Sequence, residues 1–244
     1  MPTHDLDIPG RALAIGAHPD DIEFGCGATL AKWAAAGCEI HHLVCTDGSR
    51  GTWNAKQDPS ALVVTREAEQ RAAATALGGT APVTFLRWPD GELESGLRQR
   101  WQVCDAIRRT RPDVVLGHDP WKRYRLHPDH RHAGLLVTDS IVAARDPLFY
   151  PEIAIAPHRP TSLLLFEPDT ADHAEEVGGW VDQKIAALLS HRSQLTTTMD
   201  FSNDPGRRSV ESDAFRKRIL DEAAEAGRPF GVGFAEAFKR IDQI

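Results

Sequence analysis

Two short stretches of the chain carry side chains able to hold a divalent metal ion, each built around a proline: Ala17-His18-Pro19-Asp20-Asp21 and, far downstream, His127-Pro128-Asp129-His130. Together they offer three imidazoles with carboxylates beside them, the ligand set of a divalent-metal hydrolase. Three protein ligands with an open coordination position make a catalytic site, whereas four closed ligands make a structural one. In the first stretch the proline stiffens a tight turn that can aim His18 and Asp21 at one point while Asp20 projects beside them. Adjacent carboxylates crowd negative charge, which is costly unless a cation or a proton compensates. Each stretch also reads, alone, as a helix start. Asp20 or Asp21 can cap the helix that follows, and Asp129 can sit near a second cap with the histidines exposed. The metal reading requires the two stretches to meet in space.

The elements that must bring them together alternate in type. Apolar, β-rich runs at 13–17, 39–46, 83–88, 113–117 and 162–166 predict strands. Helical patterns fall at 28–36, 65–77, 97–111, 129–144, 179–192 and 212–226, the first two closed by Gly37 and Gly78-Gly79. Strands separated by helices imply βαβ units, so the expected architecture is α/β, Rossmann-like and doubly wound, with a mostly parallel sheet and helices on both faces. One domain spanning 1–244 is expected. Ligands in such sheets bind at the carboxyl ends of strands. His18 follows the run LAIGA, and the segment from His118 to His130 follows DVVLG, which puts both motifs on one edge. Segments 47–62, 145–160 and 196–209 read as long loops able to shape a binding site. Trp53 and Trp121 can stack on a sugar face or pack. His41 and His42 read as packing or surface residues.

Gly25-Cys26-Gly27 invites a dinucleotide-binding reading, but the third glycine position of G-x-G-x-x-G is Leu30, and a carboxylate pair there would repel a pyrophosphate. The glycines are better explained by close packing of a helix start. The formal net charge of −7 disfavours nucleic acid and anionic membranes as partners. Cys26, Cys38, Cys45 and Cys104 form no C-x-x-C pair and read as small buried hydrophobes. The N-terminal MPTHDLDIPGR has no apolar leader core, and no apolar run reaches the ~18 residues that span a bilayer. A cytoplasmic location is therefore expected.

The chain resembles the LmbE-like/PIG-L de-N-acetylases, which remove acetyl groups from N-acetylglucosamine-type amides. AHPDDIEFGCG matches the family's opening motif and HPDH its downstream one. Arg66 and Glu67 in TREAEQRAAATALG, Asp90-Gly91 in FLRWPDGEL, Lys184 with His191-Arg192-Ser193-Gln194, and Glu236-Ala237-Phe238 also look like family positions. The resemblance implies that His18, Asp21 and His130 ligate zinc, with Fe²⁺ or Co²⁺ able to use the same ligands. It implies that Asp20 is the general base, that protonated His127 stabilises the oxyanion, that either of the two returns a proton to the departing amine, and that Arg66 and Asp90 contact the sugar. The sequence departs at Ala28, where close relatives often have glycine. It departs again at Arg125, where some have tyrosine, with Tyr124 adjacent here.

The expected reaction is hydrolysis of the N-acetyl group of a small amino-sugar conjugate, giving a free amine and acetate. The alternatives are an amidase acting on another acylated amine, a metallophosphoesterase, a non-catalytic metal- or sugar-binding module, and a Rossmann oxidoreductase. The particular conjugate and the oligomeric state are not written in the sequence.

Overall fold

The structure is a computed structural model that describes residues 3–244. Met1 and Pro2, the first residues of the segment read above for a leader, lie outside the described residues. Eight strands form one sheet: β1 (Thr3–His4), β2 (Arg11–Gly16), β3 (Glu39–Thr46), β4 (Thr84–Trp88), β5 (Val114–His118), β6 (Ser162–Phe166), β7 (His173–Glu176) and β8 (Ala235–Asp242), in the order β1-β7-β8-β6-β5-β2-β3-β4. Pairing is parallel except where β8 runs against β6 and β7. Among the described residues six α-helices connect them: α1 (Asp21–Ala35), α2 (Pro59–Ala76), α3 (Leu97–Thr110), α4 (Pro128–Arg145), α5 (Val181–Leu188) and α6 (Arg208–Gly227).

Both faces of the sheet are covered, because successive strand residues point to opposite sides. Leu13 and Ile15 of β2 pack with Val103 and Ile107 of α3 and Leu136 and Val137 of α4. Ala12 and Ala14 face Ile22, Leu30 and Trp33 of α1 and Ala73 of α2. From β2 the chain winds outward through β3 to β4, then returns through α3 to β5 on the other side of β2. That reversal opens a crevice beyond the carboxyl ends of β2 and β5, where doubly wound sheets bind ligands. The HPDD turn leaves β2 into the crevice, and the chain from β5 to α4 forms its other wall.

Helix α1 starts at Asp21 rather than at 28, so the glycine pair lies inside the helix. The helix breaks at Cys26, whose φ of −151° is non-helical. A Cβ on Gly25 would fall 2.6 Å from the Phe166 ring, so glycine permits the close approach of α1 to β6. The break orphans backbone groups, and two distant side chains satisfy them. Glu236 accepts from the N–H of Ala28 (3.1 Å) and Thr29 (2.7 Å), while the Lys184 ammonium donates to Phe24 O (2.7 Å) and to Glu236 (2.6 Å). The Lys184 and Glu236 matches to the family thus have a structural cause. Glu236→Ala strands a buried ammonium and two N–H donors, and is expected to lower unfolding stability by about 3 kcal/mol in urea titration.

Strands β1, β7 and β8 were not expected. β7 reads HAEE, yet its His173 and Glu175 are fully buried. Their charge is met from afar: Glu175 lies 3.0 Å from His173 Nε2 and 2.7 Å from Lys32 Nζ. The segment 47–62 ends in the first turn of α2, because Pro59 sits at a first-turn position and Asp58 caps Ser60 N–H. The 179–192 pattern is shorter than expected, with α5 ending at Leu188 and a 3₁₀ turn following at Arg192–Gln194. All four cysteines are free and buried. No helix among the described residues is long and apolar enough to cross a membrane.

Candidate active site

The two motifs meet. The His18 ring lies 4.6 Å from that of His127 and 5.2 Å from that of His130, between ring centroids. Asp21 bridges the walls of the crevice: Oδ2 lies 3.3 Å from His18 Nδ1 and Oδ1 lies 3.2 Å from His130 Nε2. Helix α4 makes this possible at its start. Pro128 takes the first turn, His127 stands at the N-cap position without using its side chain as a cap, and His130 follows three residues later on the same face.

The helix-cap alternatives are not realised. Asp20 occupies the N-cap position of α1 but its side chain makes no cap bond. Asp21 turns back to accept the His18 N–H at 2.7 Å. Asp129 leaves α4 to accept from Gly91 N–H (2.6 Å) and Leu93 N–H (3.2 Å), and it lies 3.1 Å from His18 Nε2. Asp20 holds φ +102°, ψ −25°, a left-handed backbone that costs a non-glycine residue about 1–3 kcal/mol.

Three groups of side chains place one donor atom each within 4.8 Å of one another: His18, His127 and His130; Asp21, His118 and His130; and His18, Asp90 and Asp129. The expected ligands His18, Asp21 and His130 fall across the first two groups, which share His130. The chemistry fits a cation. An imidazole with carboxylate oxygens at both ring nitrogens, as His18 has, must be doubly protonated or must give one nitrogen to a metal ion. Burial opposes charge on His18, but its bonds to Asp129, Asp21 and Asp90 outweigh that and hold its pKa well above the usual value. Burial likewise opposes charge on Asp21, and His130 and His118 reverse this, holding its carboxyl well below the ordinary range.

Asp20 has the opposite balance. Burial pushes its pKa up to about 6, against the pull of Arg66. One carboxylate oxygen, Oδ2, is buried without a hydrogen bond and lies 3.5 Å from Arg66 Nη2. His127 is exposed at the rim, and burial of its ring with the neighbouring His18 and His130 holds its pKa down. A cavity of about 370 Å³ opens above these groups, with Arg66, Asp90, Gly51 and Trp53 in its walls. Trp53 is 84% exposed, available to a ligand rather than packed. Trp121 is exposed but lies outside the lining. Asp90 faces His18 Nε2 at 3.3 Å with one oxygen and accepts the Arg50 N–H with the other. Arg66 is almost fully buried, donating to Pro19 O (2.6 Å) and Gly48 O (3.0 Å).

Sequence reasoning undervalued His118 and Asp129. His118 ends β5 and is buried, with Nε2 3.1 Å from Asp21 Oδ2. Arg125 Nη1 lies 3.1 Å from its Nδ1. A guanidinium only donates, so Nδ1 accepts and the Nε2–H is left to orient Asp21. The position of His118 at the end of an apolar strand was the available signal. Arg125, which stands where some relatives have tyrosine, is itself held by Glu167 at 2.9 Å.

An open α/β sheet with buried imidazoles and carboxylates gathered at its switch point, beneath a polar-lined pocket, defines a protein with a metal-binding type of site. The chain belongs to the PIG-L family (GlcNAc-PI de-N-acetylase), which residues 13–141 match. It is 32% identical to a diacetylchitobiose deacetylase of Thermococcus kodakarensis over 76% of this chain and 70% of that protein. It is 31% identical to a 1D-myo-inositol 2-acetamido-2-deoxy-alpha-D-glucopyranoside deacetylase of Mycolicibacterium gilvum, over 78% of this chain and 82% of that one. The N,N'-diacetylchitobiose deacetylase of Pyrococcus horikoshii superposes with a TM-score of 0.85 at 26% identity, over 96% of this chain and 84% of that one.

Proposed function

We propose that the protein is a zinc-dependent de-N-acetylase that hydrolyses the N-acetyl group of an N-acetylglucosamine-type conjugate. One observation carries the reading: Asp20, a buried carboxyl with one oxygen that makes no hydrogen bond, lines the same cavity of about 370 Å³ as His18, Asp21 and His130. Family membership supports it, as do relatives whose names record deacetylation of acetylated amino sugars.

His18, Asp21 and His130 would hold the ion, two imidazoles and one carboxylate with room for substrate, a donor set that suits Zn²⁺ and that Fe²⁺ or Co²⁺ can share. When bound, the ion supplies Lewis-acid polarisation of the amide carbonyl and acidification of water. Asp20 takes the proton from the attacking water. Burial raises its pKa to about 6, which makes it a stronger base than a solvated carboxylate while leaving it ionised at neutral pH. His127, at the rim with its ring 4.6 Å from that of His18 and 4.8 Å from that of His130, donates an N–H to the oxygen that gains charge. Asp20 then returns its proton to the departing nitrogen. The carbonyl C–N bond breaks, and the products are acetate and a free amine. Trp53 offers a flat apolar face at the rim for a sugar ring.

The test is a panel of N-acetylglucosamine conjugates together with their phosphorylated counterparts, assayed for acetate, free amine and phosphate. Acetate and amine in equal amounts, without phosphate, are expected from at least one acetylated member. Phosphate release alone would move the protein to the metallophosphoesterases, and no release from any member would leave the reading without a reaction.

A further inference from the structure

The Pro19–Asp20 peptide is gripped on both sides by one face of α2. Its carbonyl accepts from Arg66 Nη2 at 2.6 Å, and its N–H donates to Gln70 Oε1 at 3.0 Å. Arg66 and Gln70 are one helical turn apart, so both reach the turn from the same side. This peptide is one of the two planes whose relative rotation defines φ of Asp20, so the grip constrains that angle from one side. That φ is +102°, a value an aspartate does not adopt unless its surroundings impose it.

Each grip is itself braced. Gln70 Nε2 donates to Glu23 Oε1 at 2.7 Å, fixing which way its amide points, and Glu23 Oε2 lies 3.3 Å from His191 Nε2. Arg66 is seated by the 48–51 loop, where it also donates to Gly48 O. A Cβ on Gly51 would fall 2.2 Å from Arg66 Nη1. Gln70 is fully buried and takes no part in the cavity lining, so it cannot touch a substrate there.

We infer that Arg66 and Gln70 are positioning residues, a two-pronged clamp from α2 that holds the Pro19–Asp20 peptide so that the Asp20 carboxylate faces the reacting centre. Arg66 then acts on turnover through Asp20, in addition to any contact it makes from the cavity wall. The inference rests on the reading of Asp20 as the general base.

The experiment compares Gln70→Met, Gly51→Ala and Arg66→Lys with the native enzyme for kcat, KM and bound metal. Gln70→Met removes the acceptor and keeps the bulk. Gly51→Ala leaves Arg66 in place but displaces its guanidinium from a surface loop, so it tests the clamp even where a buried substitution unfolds the chain. Small displacements of a catalytic group cost up to about 100-fold in rate. A fall in kcat of about 10- to 100-fold is therefore expected in each folded variant with metal content native, and in Gln70→Met, which lies outside the cavity lining, KM stays within about twofold. Native kcat in Gly51→Ala, a KM rise as large as the kcat fall in Gln70→Met, or loss of metal from these variants would each overturn the clamp. Asp20→Ala, assayed alongside, separates the two ideas. If it keeps full turnover, the base assignment itself is wrong. If it is inactive while the clamp variants keep native kcat, only the clamp is wrong.

Discussion

Asp20→Ala is expected to bind metal as the native protein does and to lose turnover by about 10²- to 10⁴-fold, the usual contribution of a positioned general base. The two halves of this expectation come from different contacts. The histidine contacts of the site run to Asp21, Asp90 and Asp129, while Asp20 touches none of these rings and lies against Arg66. Removing it leaves the donor cluster intact and takes away only the acceptor of the water's proton. Metal content by mass spectrometry and acetate release on the same sample check both halves. Acetate release at the native rate would remove Asp20 from the chemistry.

His18→Ala is expected to fail differently, by losing the ion. Disturbing a group that merely orients a ligand weakens metal binding by about 10- to 100-fold, so deleting a ligand is expected to weaken it by more than about 100-fold. His18 also faces Asp129 at 3.1 Å and Asp90 at 3.3 Å, both buried. Its loss brings unpaired carboxylates together, and a drop in stability is expected with the loss of metal. Equilibrium dialysis against a divalent ion checks the first effect and urea unfolding the second. If Asp20→Ala and His18→Ala lose metal equally, the division between ligand and base does not hold.

The wall of the site that comes from β2, and its meeting with HPDH, were legible because strand periodicity located β2 and β5 and the edge rule for doubly wound sheets did the rest. His18, Asp21, His127 and His130 converge, as their motifs required. What could not be read was the part set by long-range polar contact. β7 is a strand with buried His173 and Glu175, and its burial depends on Lys32, far away in sequence. Asp129 sits between two histidines in the second motif and looked like a cap, yet it bonds Gly91 and Leu93. Arg66, read as a sugar contact, does line the cavity, but its bonds to the carbonyls of Pro19 and Gly48 could not be read from the sequence. Periodicity records which face of an element is apolar. It does not record which distant partner satisfies a buried charge.

The proposed function requires the two proline-centred turns to hold one cation on which turnover depends. Its most direct test is to strip the protein of metal, add a divalent ion in small steps, and follow acetate release from an accepted N-acetylglucosamine conjugate. No release is expected without ion, followed by a linear return that saturates near one equivalent per chain. Undiminished acetate release from the stripped protein would contradict it.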